Sequence, residues 1–412
     1  MNKVCEMRKV KRDRVLLISN GHGEDQISAV LGGQLAEIAP ELEIVALPIV
    51  GVGQAYTDKG ISILMEAEDL PSGGFSRNSF RNLMMDIRGG LLGLTGRQIR
   101  ALRKERESID LAVCVGDVYL IILAGFFLRK PMFFLPTAKS DYITPHWNIE
   151  ISLMRRLCQK IFPRDAITAA SLASHGLPSL FAGNLMMDCL YYKDPEYFSN
   201  EEGWVISLLP GSRLEAYENM KDLAEVLVVF EELVHSEGFN KSCRYLVALA
   251  GGLNFQGIRE KLEPSGWSSR KPTAEEATNG IVGHLYSPDQ EQSFCITVVK
   301  GRFADILAAS DLVIGLAGTG NEQAVGLGKP VVTFPGRGPQ FSDKFVKIQK
   351  RLLGDSISLV KREPSVTAGE ILKILTDASI KEKMGAIGHE RMGEPGGARK
   401  IALQIKEYFD RI

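Results

Sequence analysis

Two loops in the second half of the chain carry residues suited to binding a diphosphate. The first, at 210–213, follows an apolar run and offers Gly211, the Ser212 hydroxyl and the forked Arg213 cation, which suits phosphate. The second, at 315–323, is rich in glycine, so its backbone N–H groups can approach an anion. Either loop alone has the sequence of an ordinary tight turn. Together they predict a nucleotide site with these candidates: Gly211, Ser212, Arg213, Gly251, Gly318, Thr319, Gly320, Asn321, Glu322 and Gln323.

Two side chains in the first half are candidates for a catalytic base. Asp117 follows an apolar run at 111–115 and could take a proton from an attacking hydroxyl or simply cap the next helix. His22 lies in a predicted turn at 20–25, and its imidazole could do the same or merely order the turn. Glu24 and Asp25 come next, where carboxylates are favoured at a helix start in any case. No cluster has the spacing of a metal site, so neither a metal ion nor a cofactor is predicted.

A basic segment at 75–104 has apolar residues at helical spacing. Besides its lysines and arginines, the segment contains a single acidic residue, Asp86. This pattern is typical of a helix that lies on a membrane surface, and equally of an ordinary helix whose arginines are solvated. The sequence of this segment is compatible with both interpretations.

Two further loops could line a ligand site. His146, Trp147 and Asn148 follow a predicted strand at 132–135; they could line an acceptor site, or Trp147 could simply be packed. Gln340 follows the strand predicted at 329–334. It could hydrogen-bond the hydroxyls of a donor sugar or belong to a simple turn.

Alternating strands and helices must position these loops. Apolar runs predict strands at 15–19, 43–48, 111–115, 132–135, 204–209, 244–250, 295–299, 311–315 and 329–334, and helical spacing predicts helices at 26–38, from 214 to about 235, and at 302–309. Because these runs are apolar on both faces, they predict an α/β fold with two Rossmann-like domains, each with a covered parallel sheet. The predicted boundaries are 1–195, 204–390 and a final amphipathic helix in 391–412.

The composition limits the class of partner. The 412 residues include 49 Lys and Arg against 50 Asp and Glu, so the chain lacks the cation surplus of a dedicated nucleic-acid-binding protein. Its 6 cysteines are scattered, which favours a reducing, cytoplasmic location over a disulfide scaffold. The apolar run at 111–128 contains Asp117, so it predicts a strand, a turn and a buried helix rather than a membrane span.

The Leu-Leu-Pro-Gly-Ser-Arg element at 208–213 resembles the signature of the lipid-A-disaccharide synthases, inverting GT-B glycosyltransferases that use a UDP-sugar. The segments at 51–60, 181–188 and 318–332 are similar to further elements of that family, in the same order. The likeness spans about residues 15–340. It implies a GT-B fold, in which two Rossmann-like domains border a cleft and the last helix packs back toward the first domain.

The resemblance also implies roles for single residues. Residues 1–195 would bind the acceptor and residues 204–390 the UDP-sugar, and Asp117 matches a family aspartate proposed as the base. Arg213 and the backbone at 318–321 would stabilise the charge on the leaving diphosphate. The ribose-binding glutamate of the family falls on Gln323, whereas the carboxylate of this chain is Glu322, so either side chain could meet the ribose.

The chain also departs from the family pattern. Its loop at 21–25 differs, and Asn184 replaces a histidine, which indicates a related branch. The expected activity is transfer of a UDP-GlcNAc-like sugar, acylated or not, to a lipid-linked acceptor at the cytoplasmic face of a membrane, with 75–104 as the membrane contact. Two alternatives remain: a UDP-GlcNAc epimerase on the same fold, and a non-catalytic protein that binds UDP-sugars or glycolipids. The oligomeric state is left open.

Overall fold

The computed structural model describes residues 12–65, 91–239, 241–289 and 293–411. The chain forms two compact units. Unit 1 comprises the chain up to Cys189 and again from Pro395, and unit 2 comprises Leu190–Glu394. Each unit is built on one sheet with buried apolar residues on both of its faces.

Unit 1 has six parallel strands in the spatial order β3-β2-β1-β4-β5-β6. In chain order they are β1 (Arg14–Ser19), β2 (Glu43–Pro48), β3 (Ser62–Ile63), β4 (Leu111–Gly116), β5 (Met132–Pro136) and β6 (Lys160–Ile161). From β1 the chain proceeds to β2, and from β4 it proceeds to β5, on opposite sides. The space beyond the carboxyl ends of β1 and β4 is therefore a topological switch point, where ligands of such sheets bind.

Two layers of helices cover this sheet. The helices of unit 1 are α1 (His22–Ile38), α2 (Gln54–Thr57), α3 (Leu91–Lys104), α4 (Val118–Phe127), α5 (Asn148–Leu157), α6 (Ala166–Ser174), α7 (Leu185–Asp188) and, last in the chain, α16 (Gly397–Asp410). Leu16 and Ile18 of β1 share a core with α3, α4 and α5, whereas Val15 and Leu17 share one with α1 and α16. Adjacent residues of a strand point to opposite faces, so an unbroken apolar run needs a helical layer on each side.

Unit 2 has eight strands in the order β14-β13-β12-β7-β8-β11-β10-β9. They are β7 (Gly203–Leu209), β8 (Ser242–Leu249), β9 (Ser268–Arg270), β10 (Ile281–Tyr286), β11 (Cys295–Lys300), β12 (Leu312–Gly315), β13 (Val331–Thr333) and β14 (Ile357–Leu359). Its helices are α8 (Glu215–Ser236), α9 (Phe255–Leu262), α10 (Ala274–Thr278), α11 (Phe303–Ala309), α12 (Thr319–Gly326), α13 (Asp343–Leu353), α14 (Pro364–Thr376) and α15 (Ala378–Met392). Because β7 leads toward β8 and β12 leads toward β13, the switch point of this sheet lies between β7 and β12.

The structure differs from the sequence expectations in two details. The helix α1 begins at His22 rather than at 26, because Glu24 and Asp25 lie in its first turn, where carboxylates interact favourably with the N–H groups. The sheet of unit 2 is also not purely parallel: β9, β10 and β11 pair antiparallel at one edge. The remaining strands predicted from apolar runs are confirmed, with ends shifted by a few residues at most.

No helix in the described part of the chain combines the length and the apolar character needed to span a bilayer. The apolar run at 111–128 folds as β4, a turn and the helix α4, as predicted.

Candidate functional site

The two predicted phosphate loops meet at the switch point of unit 2. The strands β7 and β12 are neighbours, so the loops that follow them lie side by side. The Leu316 N–H donates to the Leu209 carbonyl (2.8 Å), and a Cβ added at Gly211 would lie 3.3 Å from the Leu316 carbonyl oxygen. Gly211 also has a φ of +113°, which L side chains rarely adopt. The fold itself therefore favours glycine at 211.

Asn219 of α8 joins the loop after β7 to the loop after β13. The residue is only 2% exposed; its Nδ2 donates to the Pro210 carbonyl (2.7 Å), and its Oδ1 accepts the Arg337 N–H (2.6 Å). The Arg337 guanidinium donates to both carboxylate oxygens of Asp222, at 2.8 and 2.9 Å. Gln340 lies exposed on the loop that these contacts fix. Sequence reasoning missed Asn219, although asparagine is a weak helix former and its place inside a helix was a signal.

Two buried amides satisfy the carbonyls of the glycine loop after β12. Asn321 is fully buried, and its Nδ2 donates to the Gly315 carbonyl (3.0 Å) and to Gln349 Oε1 (2.9 Å). Gln349 Nε2 donates to the carbonyls of Gly318 (2.9 Å) and Ala317 (3.2 Å). The Asn321 side chain thus belongs to the support of the loop rather than to its surface. Of the predicted binding groups of Asn321, only the backbone N–H can serve a ligand.

The first turns of α8 and α12 begin at this edge of the sheet. Their N-cap residues, Leu214 and Gly318, have no polar side chain to bond the first-turn N–H groups. Such N–H groups attract anions. The first turn of α8 contains two carboxylates, Glu215 and Glu218, whereas that of α12 contains one, Glu322, so α12 repels an anion less. An exposed hydroxyl, Thr319, stands at its start.

The other predicted members of the nucleotide site differ in exposure. Ser212 and Arg213 are exposed, Gly320 and Glu322 are half-buried, and Gln323 is 8% exposed. Gly251 lies in the turn after β8, where an added Cβ would meet open space. Nothing in the surroundings of Gly251 requires glycine there.

The two predicted bases, Asp117 and His22, lie at the switch point of unit 1, after the ends of β4 and β1. Asn20, which follows β1, accepts the Asp117 N–H at its Oδ1 (2.7 Å) and donates from Nδ2 to Asp117 Oδ2 (3.3 Å). A Cβ at Gly116 would overlap Asn20 Oδ1, and Gly116 has a φ of +145°. Asp117 Oδ1 accepts the Tyr119 N–H (2.8 Å), so Asp117 is the N-cap of α4. The capping interpretation of Asp117 is therefore confirmed. His22 is the first residue of α1, and its side chain lies outside the described part of the structure.

Carboxylates in the first turn of α1 surround this switch point. Asp25 is buried and accepts a hydrogen bond from Ser19 Oγ (2.5 Å), which is also 2.5 Å from the hydroxyl of buried Tyr56. Burial raises the pKa of Glu24, and the nearby carboxylates of Asp25 and Asp117 raise it further. A carboxyl group held toward its neutral form beside a second carboxylate is the usual arrangement for acid–base work. The sequence analysis named Glu24 only as a residue favoured at a helix start.

Two more basic groups belong to the loops at this edge. Arg164, which follows β6, donates from Nη1 to the Thr137 carbonyl (3.3 Å), and its charge counteracts the raised pKa of Glu24. His146 precedes α5 and pairs through Nδ1 with Glu150 Oε2 (3.2 Å). The expectation that Trp147 is packed is wrong, since this side chain is 63% exposed. Within the described ranges, no three His, Cys, Asp or Glu side chains are grouped to hold a metal ion.

No family model and no curated protein sequence matches the chain. Its structure is similar to that of a Listeria monocytogenes protein described as a UDP-N-acetylglucosamine 2-epimerase (TM-score 0.59, 17% identity, 97% of this chain and 98% of that chain). It is also similar to the UDP-GlcNAc 2-epimerase of Neisseria meningitidis bound to UDP-GlcNAc (TM-score 0.58, 15% identity, 96% and 100% of the two chains). A third similar structure is CalG4, the calicheamicin glycosyltransferase (TM-score 0.55, 14% identity, 98% and 99%).

The chain has the GT-B fold. The similar structures are UDP-sugar epimerases and a glycosyltransferase, and at 17% identity or less the likeness establishes the fold and not the reaction. Within this GT-B chain, Asp117 and the loops at 210–213 and 315–323 lie at the switch points of the two sheets, whereas Gly251 follows β8 and Gln340 follows β13. Switch points are where α/β folds of this kind bind their ligands.

The N-cap role of Asp117 leads to a stability prediction. Asp117→Ala removes the acceptor for the Tyr119 N–H and for Asn20 Nδ2, so we expect it to lower the free energy of unfolding by about 1–2 kcal/mol. Asp117→Asn keeps an acceptor oxygen, and asparagine is an equally good N-cap, so we expect a loss below about 0.5 kcal/mol. Urea denaturation followed by circular dichroism measures both. Equal stability of the two variants would contradict the N-cap role.

Proposed function

We propose that this protein is a glycosyltransferase that moves a UDP-GlcNAc-like sugar to a lipid-linked acceptor at the cytoplasmic face of a membrane. In this proposal unit 2 binds the UDP-sugar and unit 1 binds the acceptor. The observation that carries it is the pairing, at one switch point, of the Pro-Gly-Ser-Arg loop with the uncapped first turn of α12. An exposed guanidinium, two hydroxyls and the N–H groups of a helix start that has no side-chain cap suit a diphosphate.

The polar groups of unit 2 suggest how the donor is held. Arg213 and the first-turn N–H groups of α12 would stabilise the charge that develops on the leaving diphosphate. Glu322 is the better candidate for the ribose, because it is half-buried and charged, whereas Gln323 is almost fully buried. Gly251 lets a ligand approach the backbone after β8, and Gln340 lies exposed on the loop fixed by Asn219.

The acid–base groups would come from unit 1. Inverting transfer needs a base that takes the proton of the acceptor hydroxyl while the oxygen attacks the anomeric carbon. Asp117 and His22 are the bases predicted from the sequence, and both belong to loops at the switch point of β1 and β4. The half-buried Glu24, whose pKa is raised by burial, is a further carboxyl group at the same edge.

UDP-GlcNAc 2-epimerisation is the second candidate function. The similar structures favour it, since two of those reported above are described as UDP-GlcNAc 2-epimerases. An epimerase would use the same nucleotide loops and would need no acceptor. The carboxyl groups of Glu24 and Asp117 could serve either reaction, so only the products separate the two.

Titration with UDP tests the donor site. We expect Arg213→Ala to weaken UDP binding 10- to 100-fold, because a hydrogen bond from a cation to a phosphate contributes about 1.5–3 kcal/mol. Isothermal titration calorimetry measures the dissociation constant, and Arg362→Ala, an exposed cation of the same unit, is the matched control. Equal affinity of the two variants for UDP, or no binding by the unaltered protein at millimolar UDP, would contradict the proposed donor site.

The products obtained with and without acceptor distinguish transfer from epimerisation. Inversion at C2 must break the C2–H bond, so an epimerase in D₂O exchanges that proton, which proton NMR detects. We expect UDP-GlcNAc alone to keep its C2 proton, and UDP to be released only when a lipid-linked sugar acceptor is added. Deuterium at C2 without acceptor would replace the transferase proposal with the epimerase.

The helical layer formed by α3, α4 and α5 supports a membrane contact. These helices expose the cations Arg100, Arg103, Lys104, Arg155 and Arg156, and their one carboxylate, Glu150, is buried against Lys139. Phe126 and Ile149, in the same layer, are 57% and 67% exposed. Residues 66–90, which include most of the basic segment predicted at 75–104, lie outside the described part of the chain. A cationic layer with exposed apolar side chains fits an anionic bilayer surface.

Vesicle sedimentation tests this contact. Each cation near an anionic surface contributes about 1 kcal/mol, so we expect Arg100→Glu with Arg103→Glu to lower the partition onto phosphatidylglycerol vesicles at least tenfold. Lys361→Glu with Arg362→Glu makes the same charge change in unit 2 and serves as the control. The membrane proposal fails if both double variants sediment like the unaltered protein, or if pure phosphatidylcholine vesicles bind it equally well.

A further inference from the structure

Three donors converge on one oxygen of Glu150. Glu150 Oε2 accepts hydrogen bonds from Lys139 Nζ (2.6 Å) and from the Trp147 N–H (2.9 Å), and it lies 3.2 Å from His146 Nδ1. Burial opposes the ionisation of Glu150, but the hydrogen bonds from Lys139 and Trp147 outweigh it and hold the pKa of this carboxyl below its usual range. Glu150 is therefore a carboxylate at neutral pH and can only accept.

This contact fixes the tautomer of His146. Because Glu150 can only accept, the proton of the neutral ring must be on Nδ1, which leaves the lone pair on Nε2. Burial lowers the pKa of His146, and the charge of Lys139 lowers it further, against the opposing effect of Glu150 and Asp141. The ring is thus neutral at pH 7 with Nε2 as a proton acceptor. A carboxylate that orients an imidazole in this way is the arrangement of an activated base.

The Nε2 atom of His146 is buried and has no hydrogen-bond partner among the described residues. The His146 side chain as a whole is 4% exposed. Leaving a buried acceptor unsatisfied costs about 1–3 kcal/mol, so such a group in a native structure calls for an explanation, and a catalytic role is one. Glu150, by contrast, already accepts from three donors. The unpaired atom of this cluster is the one that a base requires.

The topology places this histidine at the same edge as Asp117. The strands β4 and β5 are paired so that Gly116 lies opposite Pro136, and the loop from Pro136 leads to His146 and the start of α5. Because α5 leads back toward the beginning of β6, its N-terminus lies at the carboxyl edge of the sheet, as the N-terminus of α4 does. Next to His146, Lys139 Nζ lies 4.1 Å from the ring centroid of the exposed Trp147. This places a cation and an aromatic surface where an acceptor would be held.

We infer that His146, oriented by Glu150, is the general base of the transfer reaction, in preference to Asp117 or His22. The inference rests on the proposed function. As the acceptor oxygen forms its bond to the anomeric carbon, its proton passes to His146 Nε2. The bond between that carbon and the diphosphate oxygen breaks, and UDP leaves with the electron pair. The imidazolium is stabilised by the Glu150 carboxylate and afterwards returns the proton to water.

Nuclear magnetic resonance of ¹⁵N-histidine-labelled protein tests the geometry without any turnover. We expect His146 in the unaltered protein to be the Nδ1–H tautomer at pH 7 and its pKa to lie below the usual range of histidine. In Glu150→Gln, which keeps the shape of the side chain and removes its charge, we expect this tautomer preference to weaken. A proton on Nε2, or a His146 pKa within or above the usual range of histidine, overturns the assignment.

Steady-state kinetics test whether His146 acts as the general base. General base catalysis typically contributes 10²–10⁴-fold, so we expect His146→Gln to lower kcat for UDP release by that factor with the dissociation constant of UDP unchanged. His175→Gln is the control and should keep full activity. Glu150→Gln should lower kcat less and shift the acidic limb of the pH profile, which a merely structural role would not do.

The outcomes separate the two proposals. If the unaltered protein releases UDP and His146→Gln stays within twofold of it, the base assignment is wrong and the proposed function stands. A large loss in Asp117→Asn at full stability, with His146→Gln active, would return the role to Asp117. If the unaltered protein releases no UDP with any lipid-linked acceptor, the proposed function fails and the transfer step assigned to His146 fails with it.

Discussion

The arrangement of both candidate sites depends on side-chain amides, half-buried in unit 1 and buried in unit 2, that satisfy backbone groups at the switch points. A loop that turns sharply away from the end of a parallel strand leaves carbonyl and N–H groups without partners, and burying them unpaired costs about as much as a lost hydrogen bond. Asn20 supplies those bonds in unit 1, and Asn219 and Asn321 supply them in unit 2. Gly116 and Gly315 are required beside them, since a Cβ would overlap the Oδ1 atom of Asn20 or Asn321.

The way in which these loops are stabilised explains why the carboxyl edges of the two sheets suit different chemistry. In unit 2 the internal amides occupy the loop carbonyls, and the first turn of α12 has no side-chain cap and a single carboxylate, Glu322, beside the exposed Ser212 and Arg213. In unit 1 the N-terminus of α4 is already capped by the Asp117 carboxylate, and Glu24 and Asp25 both lie in the first turn of α1. One edge therefore suits a phosphate, and the other suits proton transfer. The two sheets differ in strand number and order, but each has a switch point, and the side chains at its strand ends determine the chemistry that it suits.

The sequence predicted what long apolar runs determine. Strands such as β1 and β4 are buried on both faces, so they contain long apolar runs and their positions are evident. The strand β9 could not be predicted in this way, because Ser268–Arg270 is short, polar and exposed on an antiparallel edge. The candidate loops could be predicted from Gly, Ser and Arg at strand ends. Their supports were not predicted, because Asn219 also bonds Arg337, 118 residues further along the chain, and Gln349 acts on the glycine loop from a later helix. The i,i+4 spacing of His146 and Glu150 was visible, but only the structure shows that Nε2 lacks a partner in the described residues.

The charge of the α3, α4 and α5 layer bears on the choice between an epimerase and a lipid-directed transferase. Arg100, Arg103 and Lys104 lie within two turns of one helix, and α3 carries no carboxylate to offset their repulsion. Like charges at such spacing cost a few tenths of a kcal/mol each. In a reaction confined to a small nucleotide sugar, the substrate would make no use of this layer. An anionic bilayer would offset the repulsion, at about 1 kcal/mol for each cation near the surface, and would add to the favourable interaction of Arg103 and Lys104 with the C-terminal end of α3. The proposed lipid-linked acceptor would thus give this layer a role that a freely diffusing substrate does not require.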